Sequence, residues 1–484
     1  MVEKMQEKID MKTMIHSIIG VAIMLGISNM TPIEPVTTIG MHVGGIFLGL
    51  IYLWTTVGIF WPTLLGIVLL GLTDGIGMDT MFTAFSAYIA LLILFCMFFC
   101  GAVADSGLTQ YIAHWFLSRK FINGHPIVFN IMIMTAIYVV SGVIDALAAA
   151  LVVWPIMYAT LEKVGYTKDE KYPRVLTVCS FIALSLGICL LPIWGAMAAM
   201  VEVFENASGM HVSYLSYILL NTIVGFVIIV VMSFMIKYVF HCDLTKMENI
   251  TIEDICSEKL PPMSKTQIVY AIATVIFFLV AILPSVLPQE WPAVIWLNKL
   301  TLIGFLMLAL CVLSFLKLDG NQVFDLEKVS RNNVSFEMLF LVVLTLYLSG
   351  TLLSEETGIK TLLINIVTPL FAHTGSVVFM IVIIFIGLLL TNYGTNLVIG
   401  MVLLQVVAAI APTIGLNPLP IGMVVLMAMY AAFLSPAASP YAPLLHTKTD
   451  YTSAKEIYQY GVILLLTCGV IFLVVGVPVA YILF

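Results

Sequence analysis

Through most of the chain apolar residues run for about 20 positions at a time, the length a helix needs to cross a bilayer's hydrocarbon core, with polar residues gathered in the gaps. This pattern predicts eleven spanning helices, near residues 14–32, 39–56, 57–73, 84–104, 175–202, 213–237, 266–287, 297–317, 335–354, 419–446 and 457–483. Two stretches break the pattern. Leu388–Ala411 is an apolar run interrupted at its middle by Thr391, Asn392, Tyr393, Gly394, Thr395 and Asn396, and Ile127–Ala159 has the same shape. Polar turn-formers at membrane depth are tolerated only where they line a cavity or are buried in protein. Arms of roughly ten to fifteen apolar residues on either side of such a turn are too short to span. Both stretches are therefore predicted as re-entrant hairpins, over 126–163 and 372–411. The fold class is an all-α polytopic membrane protein, with about eleven transmembrane helices and two re-entrant hairpins in two inverted repeats.

The repeats share an order of elements: a spanning helix, an amphipathic connector, a hairpin, and a helix broken at proline. They divide the chain into N-terminal scaffold helices (1–83), a first repeat (84–237), a polar cytoplasmic linker (238–265), further scaffold helices (266–334) and a second repeat (335–484). The broken helices are predicted at 175–202, containing LGICLLPIWGAM, and at 419–446, containing LSPAASPYAPL. Proline removes a backbone donor and clashes with the preceding turn, so these segments should unwind and leave free carbonyls and a half-helix N-terminus. Free carbonyls suit a small cation, and the positive end of the helix dipole suits an anion.

Composition bears this out and excludes alternatives. The 484 residues are 61% hydrophobic and 10% charged, with a mean hydropathy of +1.11. Soluble domains carry about 25% charged residues. A pI of 5.6 and a net charge of −7 argue against nucleic acid as a partner. No signal-peptide cleavage site follows the mixed-charge N-terminus, so Met14–Met30 is read as the first helix. Eight scattered cysteines imply no disulfide framework, and the eight histidines show no metal-binding spacing. With no phosphate-binding loop, nucleophile elbow or dinucleotide fingerprint, the chain is not read as an enzyme and no cofactor is expected. With the N-terminus in the cytoplasm and the C-terminus outside, only Lys299 and Lys360 fall on the outer side, so eighteen of the twenty Lys and Arg residues obey the positive-inside rule.

One acid stands in the middle of an apolar run: Asp145, in SGVIDALAAALVVWP. A charge at the membrane midplane costs at least about 2.5–3.5 kcal/mol on insertion scales and marks a functional site, unless backbone hydrogen bonds give it a structural role.

The chain resembles the divalent anion/sodium symporter family of the ion transporter superfamily. The resemblance runs from about Trp61 to the C-terminus and is carried by WPTLLGIVLLGL, GAVADSGLTQYIAHWFL and SPAASPYAPLLHTKTDYTSAKEIYQYGVILLL. It implies a homodimer in which a transport domain slides, elevator-fashion, against a scaffold, and carboxylate or sulfate uptake driven by sodium. The family's sites combine a Ser-Asn-Thr at each hairpin tip, a hydroxyl four positions earlier, and the two helix breaks. In the second repeat Thr391 takes the earlier hydroxyl position, Thr395 and Asn396 fall on Ser-Asn, and Ala438, Ser439 and Pro440 fall on the family's Ala-Thr-Pro. The first repeat departs: Ser141 keeps the hydroxyl, but Asp145-Ala146-Leu147 stands at the tip, and Leu191-Pro192-Ile193-Trp194-Gly195 stands at the break.

The expected site follows from these matches. A small di- or tricarboxylate-like anion would be contacted by Thr395, Asn396, Ser439, Pro440, Asp145 and Pro192. Sodium, with a proton as the other option, would be held by Thr391, Thr395, Asn396 and Ala438 at one tip and by Ser141, Asp145 and Leu191 at the other. The competing reading is a cation/proton antiporter of the same architecture, with Asp145 as its ion-binding acid.

Overall fold

The computed structural model describes residues 11–119, 122–192, 195–249, 262–318, 320–352, 354–371, 376–447 and 451–484. Lys4, Lys8, Lys120, Lys259 and Lys448 of the charge tally lie outside them. So do Ile193 and Trp194 of the first break, 250–261 of the linker and 372–375 at the start of the second hairpin.

The all-α polytopic reading holds. Among the described residues twelve helices are long and apolar enough to cross a membrane, or up to thirteen if a bent pair is one span. The strand content of those residues is one two-residue pairing, Lys317–Leu318 with Asn321–Gln322. The chain opens with α1 (Met11–Ser28), α2 (Thr38–Thr56), α3 (Phe60–Gly71) and α4 (Met78–Ala84). A five-part series follows: α5 (Tyr88–Asp105), the short α6 (Leu108–Leu117), the pair α7 (Pro126–Val143) and α8 (Ala146–Lys163), the interrupted α9 (Lys171–Ile188) and α10 (Gly195–Ser208), and α11 (Tyr214–Tyr238). Next come α12 (Lys265–Val286), α13 (Pro292–Phe315) and the amphipathic α14 (Leu326–Asn333). The series then recurs in the same order. It comprises α15 (Phe336–Leu352), α16 (Ile359–Phe371), the pair α17 (Ser376–Tyr393) and α18 (Asn396–Ile410), the interrupted α19 (Pro418–Met429) and α20 (Ala442–His446), and α21 (Ala454–Ile471). A π turn at Phe472–Gly476 leads into α22 (Val477–Leu483).

One expectation needs correction. Three of the four arms exceed ten to fifteen residues: α7, α8 and α17 have 18 each, and only α18, with 15, falls within that range. Eighteen residues span about 27 Å, so length alone does not make these pairs re-entrant. Their turns lie inside the protein: Ser141, Ile144, Thr395 and Asn396 are all buried. The joint between α7 and α8 is only Ile144 and Asp145, and that between α17 and α18 only Gly394 and Thr395.

Two helices form the centre. Every residue of α19 is buried, and so are fifteen of the sixteen positions of α9 from Tyr172 to Gly187, Arg174 being the exception. Both are thus surrounded by protein on nearly every face. At the other extreme, α1, α12 and α13 leave side chains such as Ile18, Val275 and Trp296 exposed. In a chain this apolar, that outer surface is what lipid covers.

Candidate functional site

The two helix pairs dock on the central helices in matching ways. Four residues before each turn a buried hydroxyl reaches a carbonyl of its own repeat's central helix. Ser141 donates to Leu184 O at 2.9 Å, and Thr391 donates to Met429 O at 2.9 Å. In the first repeat the approach depends on glycine, because a Cβ on Gly187 would collide with Ser141 Oγ and Tyr138 O. The repeats are tied together where their central helices meet, by Ser185 Oγ donating to Tyr430 O.

Beyond Met429 the helix unwinds, and here the expectation of free carbonyls is corrected. Five successive carbonyls are each taken by a side chain. Besides those of Met429 and Tyr430, Ala431 O accepts from Asn392 Nδ2 at 2.8 Å, Ala432 O from Ser439 Oγ at 3.1 Å, and Phe433 O from His446 Nε2 at 3.0 Å. A carbonyl can only accept, so His446 carries its proton on Nε2. Asn392 Oδ1 accepts from the N–H groups of both Phe433 and Leu434 at 2.9 Å. Asn396 N donates to Ala438 O at 2.8 Å, which fixes the tip of the second pair against the break. Proline breaks the helix, and side chains then satisfy the exposed backbone, as apolar surroundings require.

One cavity of about 590 Å³ joins the two tips. Its wall takes Ser141, Asp145 and Leu147 from the first pair, Asn396 and Leu397 from the second, and Ser439, Pro440 and Tyr441 from the second break. It extends past Cys100 and Asp105 of α5 to Asn333 of α14 and Ser335. The predicted residues Ser141, Asp145, Asn396, Ser439 and Pro440 are thus brought to one space. Thr391, Thr395, Ala438, Leu191 and Pro192 are buried and do not line it.

The tips differ in charge. Asp145 is the N-cap of α8, and its Oδ2 accepts from Ala148 N at 3.0 Å, so that helix N-terminus already holds the chain's own carboxylate. The N-terminus of α18 lacks such a cap: Thr395 makes no side-chain capping bond there. Of the two helix N-termini at this cavity, one carries a carboxylate cap and the other has no side-chain cap, its first amide being held by the Ala438 carbonyl. Sequence reasoning did not single out Ser185, Tyr430, Cys100 or Asn333 on this wall, nor the latch role of Asn392. Serine and asparagine in an apolar run give no sign of which carbonyl they will reach.

Comparison with known proteins adds two findings. The citrate transporter family model matches residues 50–428, which take in both helix pairs and both central helices but stop short of Ala438–Pro440. Among solved structures the chain is similar to the Alcanivorax borkumensis YdaH transporter, with a TM-score of 0.55 and 15% identity over 91% of this chain and 98% of that one. At that identity the likeness speaks to the fold. No curated protein matches the sequence.

Proposed function

Because the chain belongs to the citrate transporter family, and so is a carrier in the bilayer rather than an enzyme, we propose that it moves a citrate-like di- or tricarboxylate by sodium-coupled symport, with an elevator displacement of its two hairpins. The observation that carries this reading is the single cavity lined by both tips and the second break. In it a carboxylate of the substrate lies at the N-terminus of α18, which has no side-chain cap, beside Asn396, Leu397 and Ser439. The coupling cation lies at the other tip, between Asp145 and Ser141, where a formal charge and a hydroxyl oxygen suit a hard ion.

Charge sets the order of binding. At about 5 Å two like unit charges repel by roughly 3 kcal/mol at an effective dielectric of about 20, so Asp145 opposes the anion until a cation neutralises it. The cation therefore enters first. The homodimer, the sodium stoichiometry and an inward-facing state with the cavity open towards α14 belong to the same proposal.

Uptake of labelled citrate, succinate and sulfate into reconstituted vesicles, with and without a sodium gradient, tests it. The expected result is gradient-dependent carboxylate uptake that Asp145→Asn abolishes while the protein stays folded. Unaltered sodium and proton dependence in that variant would remove Asp145 from the mechanism. Sodium-driven proton movement without any organic substrate would favour an antiporter instead.

A further inference from the structure

A second cavity, of about 500 Å³, lies against the far halves of α10 and α18. Glu202 and Asn206 of α10, Gln405 of α18, Tyr347 of α15 and Lys360 of α16 line it, and none of the tip residues does. Gln405 lies about ten residues beyond the tip at Thr395, or some 15 Å along the helix axis.

Two oxygens in this wall stand out. Gln405 is only 3% exposed and its Oε1 has no hydrogen-bond partner among the described residues; the buried Oε2 of Glu202 has none either. Glu205, one turn further along α10, shows the contrast: its Oε1 accepts from Val212 N at 2.7 Å and faces His211 Nδ1 at 3.2 Å. Leaving a buried carboxylate or amide oxygen unpaired costs kilocalories, so a native fold that orphans two around one cavity calls for a missing partner. Both atoms are hard oxygen donors, which select a hard cation. One formal charge between them matches a single positive charge, and the cavity has room for water to complete the coordination.

We propose that Glu202 and Gln405 form a binding site for a monovalent cation of the sodium class, remote from the substrate cavity and joining the first repeat to the second. Lys360 lines the same space without an ion pair to Glu202, and its ammonium competes with the bound ion. An ion held here clamps α10 to α18, the two helices that start at the first break and at the second tip.

The site does not rest on the transport reading, since binding is measurable in a protein that carries nothing. Full-length protein in detergent, with Asp145→Asn so that the tip ion does not contribute, is titrated with sodium chloride against choline chloride at constant ionic strength, and thermal stability is read. Sodium is expected to raise the melting temperature where choline does not. Glu202→Gln, which removes the carboxylate charge from the residues lining this cavity, should raise the half-effective sodium concentration at least about tenfold. Gln405→Glu and Lys360→Gln should both lower it, a sign that no packing role of these side chains produces. If Glu202→Gln fails to fold, those two variants still decide. Equal responses to sodium and choline, or half-effective concentrations that do not move in Gln405→Glu and Lys360→Gln, would overturn the proposal.

Discussion

Asn392 commits its whole amide inside the protein: Nδ2 to Leu388 O and Ala431 O, Oδ1 to the N–H groups of Phe433 and Leu434. Replacing it with leucine would strand two donors and one acceptor of an unwound backbone, at about 1–3 kcal/mol each. Thermal denaturation in detergent should therefore show Asn392→Leu far less stable than Thr391→Val, which loses one hydroxyl bond to Met429 O worth about 1 kcal/mol. The sequence displayed the polar island from Thr391 to Asn396 but not its internal division of labour. Composition marks the island; only the fold decides that Asn392 and Thr391 grip the backbone while Asn396 meets the cavity. Asp145 was legible for the opposite reason, being a lone acid among apolar neighbours. Its capping of α8 was not, because the same residue would look identical without that turn. Ser185 gave no signal at all, since a serine in an apolar helix ordinarily bonds within its own helix.

At the scale of elements, proline and glycine made the order of helices and their breaks readable, whereas arm lengths were misjudged because residues such as Asn392 and Tyr393 stay helical. Helix contacts that depend on missing side chains can be tested singly. Gly187→Ala should sharply reduce the folded yield on size exclusion, since the added methyl meets Ser141 and the Tyr138 carbonyl. Gly26→Ala in α1 meets nothing within 4 Å and should be neutral or slightly stabilising. The cavity makes a further prediction. In a background without native cysteines, Leu147→Cys at the first tip should react with a charged thiol reagent applied from the side carrying α14 and be protected by citrate. Reaction only from the opposite side would contradict the cavity's course past Asp105 and Asn333.

Among the described residues, ion pairs gather near helix ends and in the loops between helices. At one such end the Lys246 ammonium, 2.8 Å from Glu170 Oε1, holds that carboxyl below its usual value, aided by the Thr167 backbone. A depressed carboxyl contributes stability that is complete above the unfolded value of about 4.3 and disappears as the pH falls through the folded one. Glu170→Gln should therefore cost under about 1 kcal/mol, uniformly from about pH 5 to 8, and the difference from wild type should vanish in acid. Thermal melts across that range would show it, and a difference that grew towards alkaline pH would refute it.

The laced segment from Met429 to Leu434 has a consequence for dynamics. Irregular backbone ordinarily trades its amide hydrogens with solvent quickly. Here two of those amides are held by one buried carboxamide, and the neighbouring carbonyls are pinned from several elements. In deuterium exchange this stretch should label as slowly as the helix before it. Any motion of this part of the chain must then carry it as a rigid passenger.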